Sequence, residues 1–177
     1  QEKAYDRVHP GYLSSVLSRF GFPQSIISSL ISLVFDTKIC IPINGWLGAP
    51  IDQRRGLRQG DPLSPLLFNL AFEPLLRSII ASTSLTGISI YPIALKASDN
   101  PHPDPRVPLN DDDFLNSMTP PQPMKMLSYA DDLEVFLSCP SEWDALISLL
   151  QMYNAASNGR VNLSKTVLLS LSGVDHP

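Results

Sequence analysis

Leu127-Ser128-Tyr129-Ala130-Asp131-Asp132-Leu133-Glu134-Val135-Phe136-Leu137 sets two adjacent carboxylates inside a stretch that otherwise reads as buried strand. Met126, Leu127, Tyr129 and Ala130 lead in, and Leu133, Val135, Phe136 and Leu137 lead out. That pattern predicts a tight antiparallel hairpin with the acidic pair at its tip. Neighbouring like charges repel, so carrying them at the end of an apolar hairpin makes most sense where a cation neutralises them. Taken alone, the pair reads more readily as a polar turn, because Asp favours turns through its own backbone hydrogen bonds.

The composition bounds what the hairpin can belong to. With 177 residues, 44% of them hydrophobic, the chain suffices for one packed domain and not for two large ones. A formal net charge of −4 and a pI of about 5.2 argue against a free-standing nucleic-acid binder, whose affinity comes from a basic surface. Cys40 and Cys139 lie far apart, and His9, His102 and His176 are scattered, so neither zinc spacing nor a disulfide framework is present and a reducing compartment is expected. No apolar run reaches the length of a membrane span. Gln1-Glu2-Lys3 offers neither a signal-peptide core nor an initiator Met, so the chain reads as cut from something longer.

Upstream of the hairpin, the short mixed segment from Gln1 to Val8 ends at His9-Pro10-Gly11. Tyr12, Val16, Leu17 and Phe20 then recur at helical spacing, and Gly21 with Pro23 closes that helix and opens another. The second helix carries Ile26, Ile27, Leu30, Ile31, Val34 and Phe35, a face broad enough to be mostly buried. Lys38 to Ile43 alternates with β-branched residues, and Asn44-Gly45 signals a hairpin into Trp46 and Leu47.

A basic, Gly-bearing loop follows, Arg54-Arg55-Gly56-Leu57-Arg58-Gln59-Gly60-Asp61-Pro62-Leu63-Ser64-Pro65, running into an apolar helix from about Leu63 to Ile80. Gly56 and Gly60 permit close backbone approach, Pro62 suits a helix start, and the helix N-terminus offers N–H groups to phosphate or base edges. An ordinary capped helix behind a solvated basic loop fits the same residues. Leu66, Leu67, Phe68, Leu70, Ala71, Leu75 and Leu76 read as core.

From Ser89 to Pro123 the pattern changes: eight of the 17 prolines fall here, with Asp99, Asp104 and Asp111-Asp112-Asp113 and almost no apolar periodicity. Such a stretch reads as an irregular acidic insertion, and its Asp triplet as a solvated loop. The chain therefore divides into residues 1–88, an insertion over 89–123, and residues 124–177. In the last part Trp143, Leu146, Ile147, Leu150 and Tyr153 mark an amphipathic helix, with Ser141 as N-cap and Asp144 in the capping-box position. Asn158-Gly159 stops it, and Val167 to Leu171 reads as a final strand with Lys165 beside its start. A lone Lys is usually solvated, and the weight of Lys165 comes from its context.

Together these residues resemble the reverse transcriptase of non-LTR, LINE-type retrotransposons. Gln1-Glu2-Lys3-Ala4-Tyr5-Asp6 is similar to the family's first polymerase motif, and Arg58-Gln59-Gly60-Asp61-Pro62-Leu63-Ser64-Pro65 to its second. Tyr129-Ala130-Asp131-Asp132 is similar to the third, and Ser157-Asn158-Gly159-Arg160-Val161-Asn162 with Lys165-Thr166 to the fourth. Four blocks in order, from end to end of the chain, are far more specific than any one of them. An intron-encoded maturase is a weaker match, because the first and second blocks favour the LINE type.

The resemblance implies an α+β fold: a polymerase palm, an antiparallel sheet covered on one face by helices, with part of the fingers. It also implies that the Asp131 hairpin pairs with the segment near Tyr5. The implied reaction is RNA-directed DNA polymerisation, in which a primer 3′-hydroxyl attacks the α-phosphate of a deoxynucleoside triphosphate. Two Mg²⁺ ions about 3.5–4 Å apart, replaceable by Mn²⁺, would hold the attacking and leaving oxygens. Asp131 matches the family's metal-binding Asp, with Asp132 beside it as a further ligand or electrostatic support. Tyr5 matches the aromatic that excludes a 2′-hydroxyl, Gln59 and Gly60 match residues shaping the nucleotide and template pocket, and Lys165 matches a residue near the departing phosphates. Arg54, Arg55 and Arg58 are backbone or phosphate contacts, or equally a surface charge cluster.

The expected partners are an RNA template, a DNA primer, deoxynucleoside triphosphates and the remainder of a retrotransposon polyprotein, with no membrane, in an intracellular ribonucleoprotein that is nuclear, cytoplasmic or both. The family's other metal-binding Asp stands five residues before the Tyr5 position, outside this sequence, and Asp6 is not its replacement. An isolated fragment is therefore expected to polymerise little or nothing. The competing function is a degenerate, non-catalytic retrotransposon relic acting at most as an RNA-associating domain. The intact apolar spacing of all four blocks leans against simple decay.

Overall fold

The computed structural model describes residues 3–89 and 122–171, so most of the Pro- and Asp-rich insertion, including Asp111-Asp112-Asp113, lies outside the described residues. Within them the fold is α+β, with five α-helices and three two-stranded antiparallel sheets. Helix α1 (Ala4–Arg7) is a single turn. In α2 (Pro10–Arg19), Pro10 takes the first turn and the His9 ring accepts a hydrogen bond from the Gly11 N–H at 3.1 Å. After α3 (Gln24–Phe35) the chain forms β1 (Lys38–Ile39), β2 (Pro42–Ile43), β3 (Trp46–Leu47) and β4 (Ile51–Asp52). Strands β2 and β3 pair across the Asn44-Gly45 turn, as the sequence predicts, while β1 reaches over them to pair with β4.

Helix α4 (Ser64–Ala81) falls within one residue of the bounds read from its apolar spacing. It is the centre of the core: Leu67, Phe68, Ala71, Phe72, Leu75 and Ile79 are all buried along it, against Leu13 and Leu17 of α2. Helix α5 (Glu142–Ser157) packs on α4 and, more lightly, on α2. The Tyr12 hydroxyl of α2 and the Tyr153 hydroxyl of α5 both donate to the Ala71 carbonyl, at 3.0 and 3.5 Å, so two helices are pinned to one point on α4. Burial raises the Tyr12 hydroxyl far above the ordinary phenol value, with Tyr153 adding to the shift, so this donor stays protonated.

The hairpin comprises β5 (Met126–Tyr129) and β6 (Asp132–Val135), in the register Met126↔Val135 to Tyr129↔Asp132. Met126, Leu133, Val135 and Leu137 pack against the core, whereas Leu127 and Tyr129 are exposed. One face of the ribbon is thus seated and the other is open.

Four expectations are corrected. The segment around Tyr5 is a helical turn and not a strand, and β5–β6 pairs with no third strand among the described residues. The reason is local: the carbonyls of Tyr5 and Val8 are taken by the N–H groups of Leu57 and Gly56, at 2.8 and 2.9 Å, so the turn is completed by a loop rather than by a sheet edge. Residues Val167 to Leu171 form no strand, and Val167, Leu168, Leu169 and Leu171 are exposed, because no described strand stands beside them to fill the ladder. Ser141 occupies the N-cap of α5 but makes no capping bond to the helix. Its hydroxyl lies 3.0 Å from the Cys139 sulfur, and the neighbouring carboxylate, Glu142, does the fastening instead. Finally, Ile26 and Leu33 of α3 are exposed, so its buried face is narrower than its apolar content suggests.

Candidate active site

Asp131 sits in the two-residue connection between β5 and β6, since Tyr129 and Asp132 are direct partners across it. The turn is made by Ala130 at φ 52°, a left-handed conformation that costs a non-glycine residue on the order of 1 kcal/mol. Alternation along β6 leaves Leu133 and Val135 half-buried and Asp132 and Glu134 exposed. Asp131 is half-buried like the core-facing pair. The two residues are therefore not equally exposed: Asp131 is half-buried and Asp132 is open to solvent.

Tyr5 is half-buried, and its ring stacks on Phe68 with centroids 4.7 Å apart and planes inclined by 14°. Three neighbours hold its helical turn. Leu57 and Gly56 bind its carbonyl side, as described above, and Gly56 stands at φ 87° with the place of a missing Cβ only 3.0 Å from the Asp6 backbone. Gln53 braces that loop, its amide donating to the Gly56 carbonyl at 2.6 Å and accepting from the Thr37 hydroxyl at 2.9 Å. From the far end of the sequence, Asn158 donates its side-chain amide to the Arg7 carbonyl at 3.1 Å, and the Arg7 guanidinium donates to the Asn158 carbonyl at 2.8 Å. The start of the chain, the loop that precedes Arg58 and the end of α5 thus meet around Tyr5 and Arg7.

The remaining expected residues are placed as follows. Gln59 and Gly60 are exposed on the loop before α4. Arg58 is exposed too, and its guanidinium donates to the Leu33 carbonyl near the end of α3 at 3.2 Å, so part of its donor fork caps a helix. The start of α4 is served from within: the Asp61 carboxylate accepts from the Leu63 N–H at 2.9 Å, occupying one of the donors an anion would use. Lys165 is exposed at the end of the 3₁₀ turn Leu163–Lys165 and begins no strand.

Sequence reasoning passed over Phe68, assigned simply to the core, and Arg7, Gln53 and the side-chain role of Asn158. Phe68 is core and also the ring on which Tyr5 rests. The polar three make contacts between residues distant in sequence or across a loop, which leave no periodic trace. Asn158 alone carried a signal, its place before Gly159 at a helix end, and that signal spoke of the turn and not of Arg7.

Two carboxylates on one turn form a hard oxygen donor set suited to a divalent cation such as Mg²⁺, which is held by one or two carboxylates together with substrate phosphates. Among the described residues no group of three or more His, Cys, Asp or Glu side chains is gathered for an all-protein cage. The pair fits a shared, substrate-completed metal site.

The described residues are an α+β domain with an acidic pair at a hairpin tip and an aromatic held by segments distant in sequence. Residues 1–174 match the family described as reverse transcriptase (RNA-dependent DNA polymerase), and the chain belongs to that family. Its similarity reaches retrotransposon proteins. It is 31% identical over 166 residues to the transposon TX1 uncharacterized 149 kDa protein of Xenopus laevis, covering 94% of this chain and 10% of the relative. It is 30% identical over 132 residues to a retrovirus-related Pol polyprotein from the type-1 retrotransposable element R2 of Popillia japonica, covering 74% of this chain and 17% of the relative. A shorter match, 31% over 77 residues, joins it to the Pol polyprotein of the type-2 element R2DM of Drosophila melanogaster. These relatives support the LINE-type assignment, and the chain spans 10% of the first and 17% of the second.

Proposed function

We propose that this chain is the palm and part of the fingers of an RNA-directed DNA polymerase that extends a DNA primer on an RNA template inside a larger retrotransposon polypeptide. The observation that carries the reading is the Asp131-Asp132 pair at the tip of the hairpin, Asp131 in its strained turn and Asp132 at the start of β6, with one face of the hairpin packed on the core. When bound there, two Mg²⁺ ions, or Mn²⁺ in their place, supply the positive charge that stabilises the attacking and leaving oxygens. Asp131, half-buried at the turn, would be the principal ligand, and Asp132 would support it from the exposed side. Tyr5, held flat against Phe68, bars a 2′-hydroxyl. Gln59 and Gly60 border the nucleotide and template, Arg58 contributes to nucleic-acid backbone contact, and Lys165 meets the departing phosphates. The chain would work in an intracellular ribonucleoprotein.

The test is primer extension on an RNA template by the full-length polypeptide that carries this chain. Asp131→Asn keeps the shape of the side chain and removes its charge, so extension should fall by three orders of magnitude or more, on the order of 4 kcal/mol in the barrier, with an unchanged melting temperature. Asp132→Asn should be milder. Tyr5→Ala should retain extension and admit ribonucleotides more readily. Extension by Asp131→Asn at close to the parental rate would remove the hairpin from the reaction.

A further inference from the structure

The hairpin that carries Asp131 and Asp132 is fastened at its base by two charged side chains, and both reach the same short segment at the end of α4 and just beyond it. On the incoming side, the Lys125 ammonium donates to the carbonyls of Ile80 and Ser82 at 2.8 and 2.6 Å. These are open acceptors at a helix C-terminus, where the backbone dipoles favour a cation. The Lys125 carbonyl also accepts from the Phe136 N–H at 2.8 Å, which adds a rung below Met126↔Val135. On the outgoing side, Glu142 is buried, and one of its oxygens accepts from the Ser138 hydroxyl at 2.7 Å and the Thr86 N–H at 3.0 Å. Its other oxygen accepts from the Ser138 N–H at 3.0 Å.

Between the two fasteners the chain closes on itself. Ile88 and Met124 exchange both backbone hydrogen bonds, at 2.9 and 2.8 Å. Gly87, at φ 77°, has no room for a Cβ, which would fall within 3.0 Å of the Met124 and Lys125 backbone. Residues 80–88 therefore form a fixed shelf at the end of α4, and the hairpin is bolted to it through a cation on one strand and an anion behind the other. Neither group lies at the hairpin tip, and neither belongs to the four sequence blocks.

We infer that Lys125 and Glu142 are positioning residues that hold the Asp131-Asp132 turn at a fixed height relative to α4, so that its carboxylates present one geometry to a divalent cation. This rests on the proposed polymerase reading for its functional consequence, but the clamp itself is a statement about the hairpin. Lys125→Met keeps the aliphatic stem and deletes both bonds to the shelf. Glu142→Gln keeps the shape and turns one acceptor into a donor facing another donor.

Two measurements separate the clamp from the reaction. Hydrogen exchange on this chain should show faster exchange of the Glu134 and Phe136 amides, which face β5 in the ladder, in Lys125→Met, with α2 amides unaffected and protection restored in Lys125→Arg. In the full-length polypeptide, the Mg²⁺ concentration for half-maximal primer extension should rise about tenfold in Lys125→Met and Glu142→Gln, and return towards the parental value in Lys125→Arg. A purely structural role would lower the amount of active enzyme and leave the Mg²⁺ dependence unmoved. Should Glu142→Gln fail to fold, Lys125→Met carries both measurements. If the parent does not extend primers, the polymerase reading fails and hydrogen exchange still decides the clamp. Unchanged hairpin exchange in Lys125→Met, or an unmoved Mg²⁺ dependence in an active enzyme, overturns the inference.

Discussion

Gly56 shows how much one hydrogen atom can decide. Its φ of 87° suits glycine, and a Cβ added there would lie only 3.0 Å from the Asp6 backbone, too close to fit without a shift. Gly56→Ala must either strain that conformation or push α1 away, and both routes also threaten the Gly56 and Leu57 bonds to Val8 and Tyr5. We expect a loss of about 2 kcal/mol or more in urea unfolding. The Tyr5 ring should loosen with it, since its turn loses one of its supports. A variant as stable as the parent would show that the loop and α1 move apart freely. The same glycine looked from sequence like a residue reserved for ligand approach. What approaches it is the chain's own backbone.

Among the elements, α5 ends where the first block begins. Asn158 terminates the helix in the left-handed region at φ 62° and uses its side chain on the Arg7 carbonyl, so a helix stop doubles as a fastener for α1. Asn158→Gly preserves the backbone conformation, because glycine tolerates it, and removes only the side-chain donor. The expected cost is about 1 kcal/mol, against a smaller cost in an Arg7→Met background if the two bonds act together. A double-mutant cycle by chemical denaturation reads the coupling directly. Strict additivity would mean that the reciprocal bonds are independent.

At the scale of the molecule, acid should unfold the protein through the joint behind the hairpin. Burial by itself pushes the Glu142 carboxyl up, but hydrogen bonds from Ser138 and Thr86 outweigh it and bring the value down to about 2, from an ordinary value near 4.5. A depressed carboxyl binds its proton less readily folded than unfolded. Its contribution is therefore complete above pH of about 4.5 and is lost as the pH falls towards about 2. Glu142→Gln should be less stable than the parent at neutral pH and should lose stability less steeply across that window in acid titrations followed by circular dichroism. Equal slopes for the two proteins would assign acid unfolding to other carboxylates.

Periodicity and turn chemistry are local, so the sequence alone determined what depends on neighbours along the chain. The bounds of α4, the Asn44-Gly45 turn, the β5–β6 hairpin with its acidic tip, and the stop at Asn158 were all legible because a few adjacent residues specify each. Family membership was legible for a related reason, four short blocks in order. Tertiary structure decided what depends on distant partners. It made Tyr5 a helical residue, since the loop at Gly56-Leu57 supplies its hydrogen bonds. It left Val167 to Leu171 without a ladder, since a strand exists only beside another strand. It gave Arg58 a helix end to cap, and it buried Glu142 between Thr86 and Ser138, 56 residues apart in sequence from the former. Apolar spacing tells a chain which face to bury, but only the packed fold brings a donor to a particular carboxylate.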